Sequence, residues 1–184
     1  MANFRFSRHD SLLLVIDLQP KFLAAMWESD RVLHGVELLS RTAQRLGIPT
    51  VATEQNPERM GSTVGQIAPL AGTIFPKMAF SAAKDPATLD FIQDSGRKKI
   101  VVTGIETHIC VAQTTRDLLD LGFQVAVCPD AVTAGSVERH KLGMEQIRDS
   151  GGLPAHTESI VYEWLETAED PAFREVLGWI KTGR

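Results

Sequence analysis

The sequence predicts an α/β protein: a single-domain, three-layer, Rossmann-like fold in which a mostly parallel sheet of about six strands carries helices on both faces. Two observations predict it. Short aliphatic runs alternate with helix-length segments along the chain, which is the order that a parallel sheet requires. Most of these runs are apolar throughout, as expected for strands buried on both faces. The length of 184 residues suits one domain, which we assign to residues 1–184.

The element boundaries follow from hydrophobic spacing and from capping residues. The strands are predicted at Leu12–Asp17, Thr50–Thr53, Ile74–Pro76, Lys99–Thr103, Gln124–Val127 and Ser159–Val161. In the first long helix, apolar residues recur every three or four positions from Val32 to Leu46, and Gly47 then supplies a stop signal. Further helices are predicted at Ala87–Asp94, Ile109–Leu121, Val137–Asp149 and, with Asp170 as N-cap and Pro171 at the first position, as far as about Ile180.

Composition and charge exclude several classes of protein. The chain has 19 Lys and Arg against 23 Asp and Glu, a net charge of −4, so it carries no basic footprint for nucleic acid or for anionic membranes. The longest apolar run, Leu12–Ile16, is too short to span a bilayer, and the charged segment Met1–Asp10 does not resemble a signal peptide. Two cysteines, 18 positions apart, form neither a disulfide framework nor a zinc motif. We therefore predict a reducing, cytoplasmic compartment.

The irregular segment from Glu54 to Gly72 is rich in Pro, Gly, Gln and Asn, and it follows the second predicted strand. Open α/β folds bind their ligands at the carboxyl edge of the sheet. We therefore predict that this segment is a binding loop at that edge.

Asp17 ends the most apolar strand of the chain. A carboxylate at the carboxyl end of an inner strand is partly desolvated, which raises its pKa and suits it for proton transfer. Asp17 is equally well placed to cap the helix that Pro20 and Lys21 begin. Spacing alone leaves both interpretations open.

Cys110 follows the fourth predicted strand, after a glycine turn at Gly104, and lies in the first turn of a helix. The helix dipole and the free N–H groups at that end favour the thiolate, which is the nucleophilic form of cysteine. Cys128 ends a strand with no helix start beside it, and it is predicted to be a buried, space-filling residue.

Lys77 directly follows the third predicted strand. If strands one, three and four are neighbours in a parallel sheet, Asp17, Lys77 and Cys110 meet at one edge of it. A lysine beside a carboxylate and a thiol stabilises the charged forms of both. The convergence of the three residues, rather than any one of them, predicts a catalytic site.

The combined motifs resemble those of the isochorismatase-like cysteine hydrolase superfamily. The matching segments are Asp17-Leu-Gln19, Lys77 and Val102-Thr-Gly-Ile-Glu-Thr107-His-Ile-Cys110-Val111, with Asp117, Gly122 and Cys128-Pro-Asp130-Ala131 downstream. Finer features are similar to the isochorismatase domain-containing subgroup, namely Thr53-Glu-Gln-Asn-Pro57, Gly61-Ser-Thr-Val64, Lys77-Met-Ala-Phe80-Ser81 and Asp170-Pro-Ala-Phe173. The resemblance covers most of the chain.

This resemblance implies a mechanism and a set of site residues. Cys110 would be the nucleophile, Asp17 the proton acceptor and donor, and Lys77 the residue that aligns their charges. A cis peptide bond between Glu106 and Thr107 would turn an N–H toward the substrate carbonyl, and with the Cys110 N–H it would form an oxyanion hole. Residues expected to line the substrate pocket are Gln19, Phe22, Gln55 and Phe80.

The sequence departs from the metal-binding members of the superfamily. Those proteins use an Asp-x-His segment and a further His after the second strand, whereas Glu54–Met60 contains no histidine. We therefore expect no metal and no cofactor. Retention of the Cys110 thiol favours a small molecule with an amide- or ureido-type C–N bond over the vinyl ether of isochorismate. The resemblance also implies a homo-oligomer, a dimer or higher.

Other functions stay open at this stage. Cys110 and Arg116 satisfy the Cys-x₅-Arg spacing of cysteine phosphatases, but the intervening residues include no glycine to form a phosphate loop. A flavodoxin-like cofactor binder would need a glycine-rich loop after the first strand, where Asp17-Leu-Gln-Pro stands. A catalytically silent binding or scaffolding protein of the same fold, and an isochorismate-type hydrolase, are the alternatives to the amide hydrolase.

Overall fold

The computed structural model describes residues 5–182 and contains one six-stranded sheet, in which every neighbouring pair of strands is parallel. The strand order is β3-β2-β1-β4-β5-β6. The strands are β1 (Ser11–Ile16), β2 (Thr50–Gln55), β3 (Thr73–Lys77), β4 (Lys99–Ile105), β5 (Gln124–Thr133) and β6 (Leu153–Pro154). The predicted fold class is confirmed. The domain boundary at 1–184 stays a prediction, because residues 1–4 and 183–184, and with them part of Met1–Asp10, lie outside the described residues.

Helices cover both faces of the sheet. They are α1 (Pro20–Leu23), α2 (Ser29–Leu46), α3 (Pro57–Met60), α4 (Pro86–Asp94), α5 (Ala112–Asp120), α6 (Val137–Asp149), α7 (Thr157–Leu165) and α8 (Phe173–Thr182). A single π-helical turn, Thr107–Val111, joins β4 to α5, and we call it the Cys110 turn. Among the described residues, no helix is long and apolar enough to cross a membrane.

The central strand β1 is apolar from Leu12 to Ile16 because it contributes to two separate cores. Leu13 and Val15 pack with α2, α7 and α8, whereas Leu12, Leu14 and Ile16 pack with α4, α5 and α6. Successive side chains of a strand point to opposite faces, so this division follows from the pleat. All six residues of β1 are buried. The three layers predicted from the aliphatic runs are therefore a helical layer, the sheet and a second helical layer.

The predicted strand at Ser159–Val161 is wrong, since these residues lie within α7. Ile160, Val161 and Trp164 are buried at helical spacing, and a short apolar run of this kind does not distinguish a strand from a buried helix. Asp130 fixes the start of α7 by accepting hydrogen bonds from the Thr157 amide, at 3.1 Å, and from its hydroxyl. The sixth strand is instead the two-residue β6.

The last helix also begins later than predicted. Asp170 does act as a capping residue, because its carboxylate accepts a hydrogen bond from the Ala172 amide at 2.8 Å. The regular helix α8 starts at Phe173, whose amide bonds to the Asp170 carbonyl. Arg8 binds the other carboxylate oxygen of Asp170 at 2.5 Å, and this ion pair ties the segment before β1 to the start of α8.

The close pairing of β4 with β1 requires glycine at position 104. Gly104 lies opposite Ile16 in the sheet and has a φ of +108°. A Cβ at this position would overlap the Ile16 carbonyl and amide, which are backbone atoms of the neighbouring strand. The same glycine follows a register shift between β4 and β5, where the chain turns toward Cys110.

Replacing Gly104 with alanine is expected to destabilise the protein by about 4 kcal/mol or more, because backbone overlap in a buried strand cannot be relieved by a side-chain movement. Gly122→Ala is the matched control: Gly122 also has a positive φ, +86°, but nothing lies within 4 Å of the added Cβ. It is expected to cost about 1–2 kcal/mol. Urea unfolding at pH 7 measures the free energy of unfolding of both variants. Equal losses of stability in Gly104→Ala and Gly122→Ala would contradict the steric explanation.

Candidate active site

The carboxylate of Asp17 lies immediately after β1 and is held by two hydrogen bonds. Oδ1 accepts a bond from the Thr53 hydroxyl at 2.8 Å, and Oδ2 accepts one from Lys77 Nζ, also at 2.8 Å. Only 2% of the Asp17 surface is exposed. The alternative role as a helix cap is wrong, because the residue that caps α1 is Gln19 and no side chain bonds to the first turn. Asp17 is therefore a buried, ion-paired carboxylate.

Lys77 reaches Asp17 from a strand that is not its neighbour. The sheet order places β2 between β1 and β3, which corrects the prediction that strands one, three and four are adjacent. Lys77 pairs with Gln55 in the register, and its long side chain extends across β2 to reach Asp17. Its ammonium also donates to Gln55 Oε1 at 2.7 Å and to the carbonyls of Ala79 and Phe80 at 3.1 Å. These acceptors fix the charge in place.

Cys110 lies in the Cys110 turn next to the Asp17 carboxylate, and each of the two groups shifts the pKa of the other. A backbone N–H of Glu106 also faces the sulfur atom. Cys110 is 8% exposed, whereas Cys128 is fully buried in the core, as predicted. The structure therefore brings Asp17, Lys77 and Cys110 together, as the positions of the strand ends indicated.

The cis peptide bond lies between Ile105 and Glu106, one residue earlier than the predicted bond between Glu106 and Thr107. Glu106 caps the Cys110 turn, since its carbonyl accepts hydrogen bonds from the amides of Ile109, at 3.0 Å, and Val111, at 3.2 Å. The Glu106–Thr107 peptide is thus already the start of the turn. The amide that faces Cys110 belongs to Glu106, and Thr107 is completely buried behind it.

Burial dominates the protonation of the site. The pKa of Cys110 is raised to about 12, first by burial and then by the charge of Asp17, against the opposing effects of Lys77 and the Glu106 amide. Burial also raises the pKa of Asp17, while Lys77 and Thr53 lower it. The sequence predicted that a helix start would favour the thiolate at Cys110. The resting form is instead a protonated thiol beside a carboxylate, which is an arrangement suited to proton transfer.

A cavity of about 80 Å³ opens above the thiol. Its lining residues are Asp17, Phe22, Gln55, Phe80, Ile105, Glu106, Ile109 and Cys110. Three of the four predicted pocket residues are among them. Ile105 and Ile109 were not predicted, although both lie inside the cysteine motif, where their apolar character indicated packing. The described residues contain no group of three or more His, Cys, Asp and Glu side chains placed to hold a metal ion.

Gln19, the fourth predicted pocket residue, does not line the cavity. Its amide nitrogen donates to the carbonyls of Gln55, at 3.1 Å, and Gly61, at 2.5 Å, and its oxygen accepts a bond from the Gln55 amide at 2.8 Å. The residue is fully buried. Gln19 therefore joins the loop after β1 to the segment after β2, because all of these bonds are to the backbone.

A parallel Rossmann-like sheet with an acid, a cation and a thiol at its carboxyl edge defines the isochorismatase-like class of α/β proteins. Residues 11–159 match the model of the Isochorismatase domain, so the chain belongs to the isochorismatase family. This confirms the membership that the motifs predicted.

Known proteins resemble the chain over nearly its whole length. The secreted isochorismatase effector Isc1 of Phytophthora sojae (strain P6497) is 33% identical over 183 residues, 96% of this chain and 87% of that protein. The structure of the MAR1 ribonuclease from Caenorhabditis elegans is 32% identical, with a TM-score of 0.91 over 96% of this chain and 92% of that one. The YcaC gene product of Escherichia coli, described as an octameric hydrolase of unknown specificity, shares the fold at 18% identity, with a TM-score of 0.87 over 99% and 98% of the two chains.

Alkylation of Cys110 by iodoacetamide is expected to accelerate steadily with pH between 7 and 10, without reaching a plateau, because its pKa is raised to about 12. Asp17→Asn removes the charge that is the second cause of this rise. The pKa of the thiol then falls, and the rate at pH 8 increases. Site-resolved mass spectrometry of the alkylated peptides measures both effects.

Cys128 provides the internal control for this experiment, since it is completely buried and should stay unmodified in the folded protein. A rate that is half-maximal near pH 8.5, the pKa of a free thiol, and levels off by about pH 10 would contradict the buried state of Cys110. So would a rate that Asp17→Asn leaves unchanged.

Lys77→Met is expected to destabilise the protein by about 3–5 kcal/mol, because it leaves the Asp17 carboxyl buried without its counter-ion. Lys77 is the main influence that lowers the pKa of Asp17, so its removal raises that pKa further. A carboxyl whose folded-state pKa exceeds its unfolded value loses stability as the pH rises. The deficit relative to wild type should therefore be larger at pH 8 than at pH 4.5, as measured by urea unfolding.

The double variant Asp17→Asn/Lys77→Met removes both charges and is the matched control. It is expected to be more stable than Lys77→Met alone at pH 8, because no unpaired charge is left buried. A double variant less stable than the single one would show that the ion pair is not the source of the loss.

Proposed function

We propose that this protein is a metal-independent cysteine hydrolase that cleaves a small amide- or ureido-type C–N bond through a thioester on Cys110. One observation carries the proposal. The Cys110 thiol and the buried Asp17 carboxylate line the same small cavity, and Asp17 is itself ion-paired with Lys77 at 2.8 Å. A nucleophile beside a base that a third group fixes is the arrangement required for covalent catalysis.

In the acylation step, Asp17 accepts the thiol proton as the sulfur of Cys110 attacks the substrate carbonyl. The C–S bond forms, and the negative charge moves onto the carbonyl oxygen, where the amides of Glu106 and Cys110 form the oxyanion hole. Such a donor contributes about 3–4 kcal/mol to lowering the barrier. The C–N bond then breaks, and the proton on Asp17 passes to the departing nitrogen. The products of this half-reaction are an amine or ammonia and a thioester.

In the deacylation step, Asp17 is again a carboxylate and accepts a proton from water. The hydroxide equivalent adds to the thioester carbonyl, the C–S bond breaks, and the proton returns to the sulfur of Cys110. The acid product leaves. One residue thus serves as both base and acid. Lys77 stays protonated throughout and keeps Asp17 aligned, since its ammonium is fixed by several acceptors.

The size and lining of the cavity support a small substrate. The walls are formed by Phe22, Phe80, Ile105 and Ile109, and the volume is about 80 Å³. Apolar walls of this kind accommodate the uncharged amide or ureido group and exclude water from the thioester. Hydrolysis of a vinyl ether needs no acyl intermediate, so the thiol favours C–N cleavage over an isochorismate-type reaction.

The similar C. elegans protein is named a ribonuclease, so RNA is the second substrate class to test. The chain has a net charge of −4 and therefore lacks the basic footprint that RNA binding requires. We therefore place a small molecule, rather than nucleic acid, in the site.

We also propose that the protein is a homo-oligomer in the cytoplasm. Met78 and Phe80 are 71% and 57% exposed on the segment after β3, and large exposed apolar side chains are typical of association surfaces. The E. coli relative is described as octameric, which supports the same view. The cytoplasmic location is a prediction from cysteine usage.

A panel of small amides and ureides, assayed for release of ammonia or amine, is expected to contain a substrate. Cys110→Ala should lower its turnover by about 10³-fold or more, because it removes the nucleophile. Mass spectrometry of the intact wild-type protein during turnover should detect the mass of the acyl group on Cys110. Cys128→Ala is the matched control and should retain turnover, since Cys128 lies away from the cavity.

The same panel includes isochorismate and single-stranded RNA, so that the alternatives are tested together. Turnover of either one without an adduct on Cys110 would contradict the thioester mechanism. Retention of amide hydrolysis by Cys110→Ala would contradict it as well. If no compound is hydrolysed and no reagent acylates Cys110, the binding-protein alternative takes its place.

A further inference from the structure

Helix α6 packs directly on the backbone of the Cys110 turn. A Cβ at Gly143 would lie 2.8 Å from the His108 amide nitrogen and 2.9 Å from the Thr107 carbonyl carbon. These distances are too short for a side chain, so the helix and the turn are in contact at this point. Residues three positions apart share one face of a helix. His140 therefore faces the same turn as Gly143.

A buried hydrogen bond joins this helix to the turn. The Thr107 hydroxyl lies 3.1 Å from His140 Nδ1. Thr107 is fully buried and His140 is 8% exposed, so water does not substitute for either partner. A buried polar group that loses its partner costs about 1–3 kcal/mol. The bond thus fixes the residue that lies between the Glu106 amide and Cys110.

The imidazole of His140 is itself fixed from its other side. Its ring lies against the indole of Trp27, with ring centroids 5.6 Å apart, and the Arg31 guanidinium covers that indole at 5.2 Å. The Trp27 amide donates to the Ala134 carbonyl at 2.9 Å, and the Thr133 hydroxyl donates to the Trp27 carbonyl. The ring has therefore little freedom to turn away from the Cys110 turn.

The imidazole is neutral at neutral pH. The pKa of His140 is lowered by burial and then by Arg31, against an opposing effect of Glu28. A neutral ring has one donor and one acceptor nitrogen. Either assignment is compatible with the hydroxyl of Thr107, which both donates and accepts.

We infer that His140, acting through Thr107, is a positioning residue that holds the amides of Glu106 and Cys110 in the geometry of the oxyanion hole. The inference rests on the proposed function, because an oxyanion hole has a role only if Cys110 is acylated. His140 touches neither the cavity nor the thiol, and nothing in its own position makes it a catalytic residue. Its effect should be larger on steps in which negative charge develops on a carbonyl oxygen than on steps in which no oxyanion forms.

Two reactions of Cys110 separate this role from a general structural one. Acetylation by p-nitrophenyl acetate passes through a tetrahedral oxyanion: the C–S bond forms, p-nitrophenolate leaves, and Asp17 takes the thiol proton. Alkylation by iodoacetamide is a displacement that forms no oxyanion. The ratio of the two rates, measured at pH 9 by mass spectrometry in the full chain, therefore reports on the oxyanion hole alone.

Thr107→Val keeps the shape of the side chain but removes the hydroxyl, and His140→Leu removes the ring nitrogen. Each is expected to slow acetylation about 10- to 100-fold, the effect of a small misplacement of reacting groups. The alkylation rate should change less than about threefold, and the double variant should be no slower than the worse single one. Thr107→Ser and His140→Asn restore a polar atom at the same place and should regain most of the rate.

Thr42→Val is the matched control, because Thr42 is a fully buried threonine of α2 whose hydroxyl bonds to the Leu38 carbonyl away from the site. It should leave both rates unchanged. If Thr107→Val does not fold, the pair His140→Leu and His140→Asn gives the same comparison from α6. Equal slowing of both reactions, or normal acetylation in a folded Thr107→Val, would overturn the inference alone. A wild-type Cys110 that is not acetylated would overturn the proposed function and the inference with it.

Discussion

The buried ion pair between Asp17 and Lys77 is the constraint around which the carboxyl edge of the sheet is built. Removing two such charges from water costs several kcal/mol per ion, and their attraction offsets this only if the remaining lone pairs and protons find partners. Thr53, Gln55 and the carbonyl of Phe80 supply them. Strands β1, β2 and β3 and the segment after β3 therefore meet at one point. The same burial keeps the thiol of Cys110 protonated, because desolvation disfavours the thiolate.

The residues of the site could be predicted because each follows a strand, and the aliphatic composition of the strands predicts that they are buried. Asp17 follows five aliphatic residues, and Cys110 follows a strand and a glycine that lets two backbones approach. Parallel strands end at a common edge, so polar residues after them converge whatever the strand order. The predicted proximity of Lys77 to Asp17 holds even though β3 is not beside β1, because a lysine side chain is long enough to cross the one intervening strand.

Features that depend on tertiary packing could not be predicted. Ser159–Val161 has the composition of a strand, but its burial against α2 and α8 is helical. The cis bond lies between Ile105 and Glu106, one residue before the position that the family resemblance implied, and no local sequence signal distinguishes the two bonds. Gln19 lies two residues after Asp17, where a ligand-binding residue is expected, but its side-chain amide forms hydrogen bonds with backbone groups instead. The helix start beside Cys110 is visible in the sequence, and it predicted a thiolate. The burial that keeps the thiol protonated depends on the whole fold, so the sequence did not indicate it.

The three hydrogen bonds of Gln19 have a consequence for how this scaffold diversifies. They fasten the backbone of the segment after β2 to the loop that carries Asp17, and they leave the side chains of that segment unused. Glu58 and Arg59 are exposed there, and neither contributes to the hydrogen bonds that hold Asp17. Substitutions at these two positions should therefore leave the geometry of Asp17 unchanged. The outer side chains of this segment can vary in evolution while the buried carboxylate keeps its place.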